Sequence, residues 1–287
     1  MLSMKVFRST ASHWLALLCA VLLFSSCGMD SAQKEKLIEK GIEALESHVA
    51  KKKASSTTSS TLPAGVEIPQ YQSSRGGQII HHLGFTLSYD ADYKTPQWVA
   101  WELTAEKLKG DCPRKNTFSP DPDVRGAKAY HKDYSHSGYD RGHMAPAADM
   151  KWSEQAMEES FYTSNICPQN QNLNRGDWKD LEELERQWAS AYGAVAIAAG
   201  PIYTSKRPKR IGANKVAVPN GFFKVLLVGY PDNPKAYGFV FENEAGSRKL
   251  TYYQRTVDEV EEITGMDFFS ALPDEVENRI ESICPSF

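Results

Sequence analysis

No surplus of positive charge marks this chain: 33 lysines and arginines stand against 36 aspartates and glutamates, a formal net charge of -3 over 287 residues. Binding of a polyanion through bulk basicity is thereby excluded, and any such site must be local. Nor is there an apolar run of the ~20 residues that a spanning helix needs. The longest, "WLALLCAVLLF" from Trp14 to Phe24, falls well short. Cysteine is scarce, five residues in all, with no CxxC pair and no Cys/His spacing suited to zinc. The sequence has no internal repeat.

What is present begins with export signals. Lys5 and Arg8 precede the apolar run, and Ser25, Ser26 and Cys27 follow it, the pattern of a secretory signal over residues 1–27. "LLFSSC" resembles a bacterial lipobox, with Phe24 where a leucine is usual. That resemblance implies a lipid on Cys27, attachment to a membrane, and a place in the bacterial cell envelope, periplasmic or at the surface. A plain signal peptide cut elsewhere is the alternative. Cys19 leaves with the signal, so Cys112, Cys167 and Cys284 remain in an oxidising compartment. A Cys112–Cys284 bridge would tie the ends of the domain together; the pairing stays open.

Residues 28–70 read as an amphipathic segment, "KEKLIEKGIEALESHVAKKK", and a Ser/Thr-rich tether, "ASSTTSSTLPAG". Residues 71–287 read as the folded domain. "QWVAWELT" suits a strand, and "SEQAMEESFYTSN" a helix capped by Ser153. "DWKDLEELERQWASAY" sets Leu181, Leu184, Trp188 and Tyr192 at the helical period. "AVAIAAGPIY", "KVAVP", "GFFKVLLVGY" and "KAYGFVFEN" have strand composition, and "TVDEVEEITG" and "LPDEVENRIESI" are short helices. The order predicts an α+β fold, a mixed, largely antiparallel sheet with flanking helices.

Two stretches carry chemistry. In "DRGHMAPAADM", His143 can take a proton from water and Arg141 presents a donor fork suited to phosphate. Two residues apart on a strand, they share a face, and Gly142 between them lets the backbone bend so that both meet one phosphate. In "SNICPQNQNLNRGDWKDLEELER", a helix starting near Asn174 aligns Asn174, Trp178, Glu182 and Arg186 along one stripe. The asparagine oxygen suits a hard cation. Glu182, eight helical residues or about 12 Å further on, could reach that cation only through water. A third stretch, "TSKRPKR", clusters Lys206, Arg207, Lys209 and Arg210 as a basic loop. His81, His82, His131 and His136 form no ligand set; Cys167 and Trp178 read as packing residues.

Together the first two stretches resemble the paired signatures of the DNA/RNA non-specific endonucleases, a ββα-metal (His-Me finger) family that includes secreted bacterial nucleases and mitochondrial endonuclease G. "VAVPNGFFKVLL" resembles a downstream strand pair of that family, and the likeness runs from about Tyr71 to the carboxyl terminus. The resemblance implies that His143 is the general base and Asn174 the sole direct protein ligand of Mg2+, with Mn2+ or another divalent cation able to substitute. It implies that Glu182 orders metal-bound water, that Arg141 and Arg186 face the phosphate, and that Asp140 and Asn165 support the site. A further phosphate-contacting arginine falls on Arg114 or is replaced by Lys115, the register being open. The implied activity is metal-dependent hydrolysis of DNA and RNA with little sequence preference, leaving 5′-phosphates, and no protein partner is implied. Two other readings stand beside it: a non-catalytic lipoprotein that binds extracellular DNA, and a phosphodiesterase of small nucleotides.

Overall fold

The computed structural model describes residues 62–71 and 76–287. The signal, Cys27, the amphipathic segment and most of the tether lie outside the described residues. Along the chain run β1 (Gln70–Tyr71), β2 (Gln78–His81), β3 (Thr86–Asp90), β4 (Thr95–Thr104), β5 (Asp140–His143), β6 (Ile166–Gln169), β7 (Ala194–Ile202), β8 (Arg210–Ile211), β9 (Val216–Ala217), β10 (Gly221–Val228), β11 (Lys235–Glu242), β12 (Gln254–Arg255) and β13 (Met266–Asp267). The helices are α1 (Glu154–Ser160), α2 (Gln171–Arg175), α3 (Asp177–Tyr192), α4 (Leu250–Tyr253), α5 (Val257–Thr264) and α6 (Asp274–Glu281).

Seven strands pair antiparallel in the order β12-β11-β10-β7-β4-β3-β2. The central strands are apolar at nearly every position because the sheet is covered on both faces. Successive residues of β10 therefore go to different cores: Phe222 and Leu226 to one, Phe223, Val225 and Leu227 to the other. The first core is closed by α3 through Trp178, Leu181 and Trp188; the second by α5 through Val257 and Val260, and by Phe268, Phe269 and Ile280. Val66 is buried in this second core, so the folded body extends upstream of Tyr71.

Against the first face lies a separate antiparallel pair, β5 with β6, in the register Arg141↔Pro168 and His143↔Ile166. Helices α2 and α3 follow β6 directly, giving a strand–strand–helix unit. Gly142 has a different job from the one expected. It is not a bend: β5 runs through it, and a Cβ there would collide with the Gln169 side chain across the pair. The expected single helix from Asn174 is also divided. The chain turns at Gly176, where a Cβ would sit 2.7 Å from the Asn172 carbonyl oxygen, so Asn174 belongs to α2 and Glu182 to α3. The straight-helix span of about 12 Å consequently does not apply. The Cys112–Cys284 bridge is absent too, since Cys112, Cys167 and Cys284 are all free thiols.

Candidate active site

His143 closes β5 with its ring buried among aromatic neighbours, its centroid 4.9 Å from Phe161 and 5.4 Å from Phe118. Neither ring nitrogen has a hydrogen-bond partner among the described residues, and Nε2 is fully buried. Burial, then the positive charge of Arg114, holds the imidazole down at about 3, so the ring is neutral. Arg114 lies exposed with its guanidinium 5.2 Å from the Phe161 ring centre, whereas Lys115 is paired with Glu158 at 2.6 Å. Of the two candidates, Arg114 is the one without an ion-pair partner among the described residues.

Arg141 shares the face of His143: its guanidinium stacks 5.5 Å from the same Phe118 ring and 5.9 Å from Tyr134. Its Nη2 donates to the His131 carbonyl at 2.8 Å and to Ser135 Oγ at 3.2 Å, which fixes the side chain, while Nε is buried without a partner. Asn165 is fully buried and clamps the chain just past His143. Its Nδ2 donates to the carbonyls of Ala145 and Ser160, and its Oδ1 accepts from Ala145 N, each at 2.9 Å.

Asp140, the first residue of β5, reaches α2. Its carboxylate accepts two bonds from Arg175, at 2.8 and 2.9 Å, and one from Asn174 Nδ2 at 3.0 Å. Because the Asn174 nitrogen is turned to Asp140, the amide oxygen is the free end of the group. It accepts no hydrogen bond among the described residues.

Behind this edge sits a buried charge network. Glu185 accepts from Lys224 Nζ at 2.6 Å, with both side chains fully buried, and the ammonium lies 4.3 Å from the Trp178 ring centre. Asp149 accepts from Arg186 Nη1 at 3.0 Å and from Trp101 Nε1 at 3.1 Å. Half-buried Glu182, one turn before Arg186, has no hydrogen-bonded partner among the described residues. Burial pushes its carboxyl up to about 8, against the pull of Lys224 and with the repulsion of Glu185 and Asp149. The basic loop divides. Arg210 is taken up structurally, its Nη1 donating to the carbonyls of Asp92 and Lys215. Lys209 lies 5.0 Å from the Tyr139 ring centre, next to β5, and Lys206 and Arg207 are exposed, their charged ends without a partner among the described residues.

A family model described as DNA/RNA non-specific endonuclease matches residues 62–275. The chain belongs to that family. It is 38% identical over 213 residues to mitochondrial nuclease EXOG of Danio rerio, covering 69% of this chain and 62% of the relative. It is 36% identical over 176 residues to mitochondrial endonuclease G of Homo sapiens, covering 56% and 58%. A solved structure of an EndoG/EndoGI complex matches with a TM-score of 0.64 and 32% identity, over 68% of this chain and 86% of that one. The chain spans about three-fifths of the length of the mitochondrial nucleases it matches.

For this family member, the structure brings His143, Arg141, Asp140 and Asn174 onto one strand–strand–helix unit, and the ββα-metal fold is the one expected. Sequence reasoning missed Asp149, Arg175, Glu185 and Lys224. Two of them left a signal: Asp149 stands inside "APAADM", and Lys224 is the lone charge in "GFFKVLLV".

Proposed function

We propose that this chain is an exported, lipid-anchored nuclease that hydrolyses phosphodiester bonds in DNA and RNA, with His143 as general base and Asn174 as the ligand of a divalent cation, Mg2+ first. The observation that supports the reading is the reach of Asp140, on the strand that ends in His143, to the Asn174 amide, which leaves the amide oxygen free, while the His143 imidazole on the same strand is neutral and unpartnered among the described residues. The donor set fits Mg2+, an ion that takes one or two protein oxygens and keeps several waters. Asn174 would hold it, and Glu182 would accept from its hydration shell. When bound, such a cation supplies charge stabilisation to the phosphate and the leaving oxygen.

The remaining work belongs to the chain. Arg141, Arg114 and Arg186 offer guanidinium groups to the phosphate oxygens. Neutral His143 takes a proton from a water whose oxygen attacks phosphorus. The bond from phosphorus to the 3′-oxygen breaks, the departing oxygen takes a proton from solvent water, and the products are a 5′-phosphate and a 3′-hydroxyl. At a pKa near 3 the ring is always available but is a weak base by itself. Burial is the larger cause of that depression and the Arg114 charge the smaller, and a bound phosphate would offset only the second. Phosphate contacts carry no base code, hence low sequence preference.

Export and the lipid on Cys27 rest on residues 1–27: the two basic residues, the apolar run and "LLFSSC". The test uses the full chain: supercoiled plasmid and a structured RNA are both degraded with Mg2+ and spared with EDTA. Degradation that ignores the chelator sinks the metal-dependent reading.

A further inference from the structure

On the other face of the sheet, α5 and α6 bring a group of carboxylates together far from the nuclease chemistry. Asp258 and Glu261 are three apart on α5, and Glu277 and Glu281 four apart on α6, so each pair lies on one side of its helix. One oxygen each of Asp258, Glu261 and Glu281 lies within 4.8 Å of the other two. None of these acids has an ion-pair partner among the described residues.

The decisive member is Glu281. It is 5% exposed, and its Oε1 is buried with no hydrogen-bond partner. A carboxylate in that position is expensive unless something positive meets it. Asp258 is exposed and Glu261 half-buried, so the group opens to solvent on one side and a small cation can enter. Glu261 is oriented from the protein side, its Oε1 accepting from Phe268 N at 2.8 Å.

The geometry points to a second divalent-cation site, suited by its carboxylates to Ca2+, in which Asp258 and Glu261 of α5 and Glu281 of α6 supply the protein oxygens. The three oxygens, all within 4.8 Å of one another, are close enough to share one ion, and Ca2+ accepts several carboxylates directly where Mg2+ keeps most of its waters. The ion would pin the terminal helix to α5, against a core that includes Val257, Val260 and Ile280. Its role is to stabilise this end of the fold. Glu281 also lies beyond residues 62–275, the span shared with the family model.

The test separates this site from the nuclease centre by using Asn174→Ala in the full chain, stripped with chelator and then melted with Ca2+ or Mg2+ alone. Expected is a rise in melting temperature of about 5 °C at 10 mM Ca2+, with a smaller one for Mg2+. Adding Glu281→Gln removes the Ca2+ rise, while Glu281→Gln alone keeps Mg2+-dependent cleavage. Should that double variant fold poorly, Asp258→Asn, at an exposed position, must also weaken the response. A melting temperature indifferent to Ca2+ in the Asn174→Ala protein, or a rise that survives Glu281→Gln, overturns the proposal.

Discussion

A histidine that is buried, aromatic-walled and unpaired combines two requirements that usually conflict, since burial keeps the ring neutral yet weakens it as a base. Replacing His143 with alanine should lower the cleavage rate by about 10²–10⁴-fold with little change in DNA affinity, read from single-turnover kinetics beside a binding titration. The same ring leaves a stability signature. Unfolded, it takes a proton near 6.5; folded, not until about 3. The unfolded state therefore binds more protons between those values, so His143 destabilises the fold as pH falls from 6.5 toward 3 and is without effect above 6.5. The melting temperature of His143→Asn should accordingly gain on that of the unaltered protein across this window; parallel curves would contradict the burial. Asp140 is the other test at this scale. Asp140→Ala releases the Asn174 amide and should raise the Mg2+ concentration for half-maximal rate by about 10–100-fold, with the ligand itself untouched. Most of these residues were legible in "DRGHMAPAADM" and the asparagine stretch because they are local. Arg175 was not, because its partner Asp140 lies 35 positions away and nothing in either segment shows the pairing.

Elements position these groups, and here the pattern was readable where period decided it. The strands β4, β7, β10 and β11 and the helices α3, α5 and α6 follow from alternation, composition and the 3.6-residue repeat. The division at Gly176 did not, because α2 and α3 share one polar pattern and only the turn separates them. Gly142 was misjudged for a related reason: a glycine beside catalytic residues suggests a bend, yet its use is to give Gln169 room across the pair. Lys224 shows what periodicity cannot see, an ammonium inside an apolar strand that is meaningful only once α3 lays Glu185 upon it. Lys224→Met leaves Glu185 buried and unpaired and should destabilise by about 3–5 kcal/mol. Glu185→Gln added to it should restore much of that loss in denaturant melts. Additive losses would mean that the pair is not coupled.

At the scale of the whole molecule, the proposed activity would require a chain of net charge -3 to hold a polyanion with a local patch. The candidate groups come from separate parts of the chain: Arg114 beside Phe161, Arg141 on Phe118, and the loop that carries Lys206, Arg207 and Lys209 beside Tyr139. The acidic group on α5 and α6 lies on the opposite face of the sheet, so the fold separates its charges by side. Affinity for DNA should then fall with salt in proportion to the few phosphates met, not to the total of 33 basic residues. If Lys206 and Arg207 each neutralise one phosphate, replacing both with alanine lowers the slope of log affinity against log salt by roughly 1.8 for duplex DNA, about 0.9 per contact. The rate on saturating substrate should stay unchanged, because neither group reaches His143 or Asn174. Arg210→Ala offers the contrast: its guanidinium already serves the Asp92 and Lys215 carbonyls, so its loss should lower the melting temperature and leave the slope alone. A slope that falls equally in both variants would place the loop's contacts elsewhere than at its free tip.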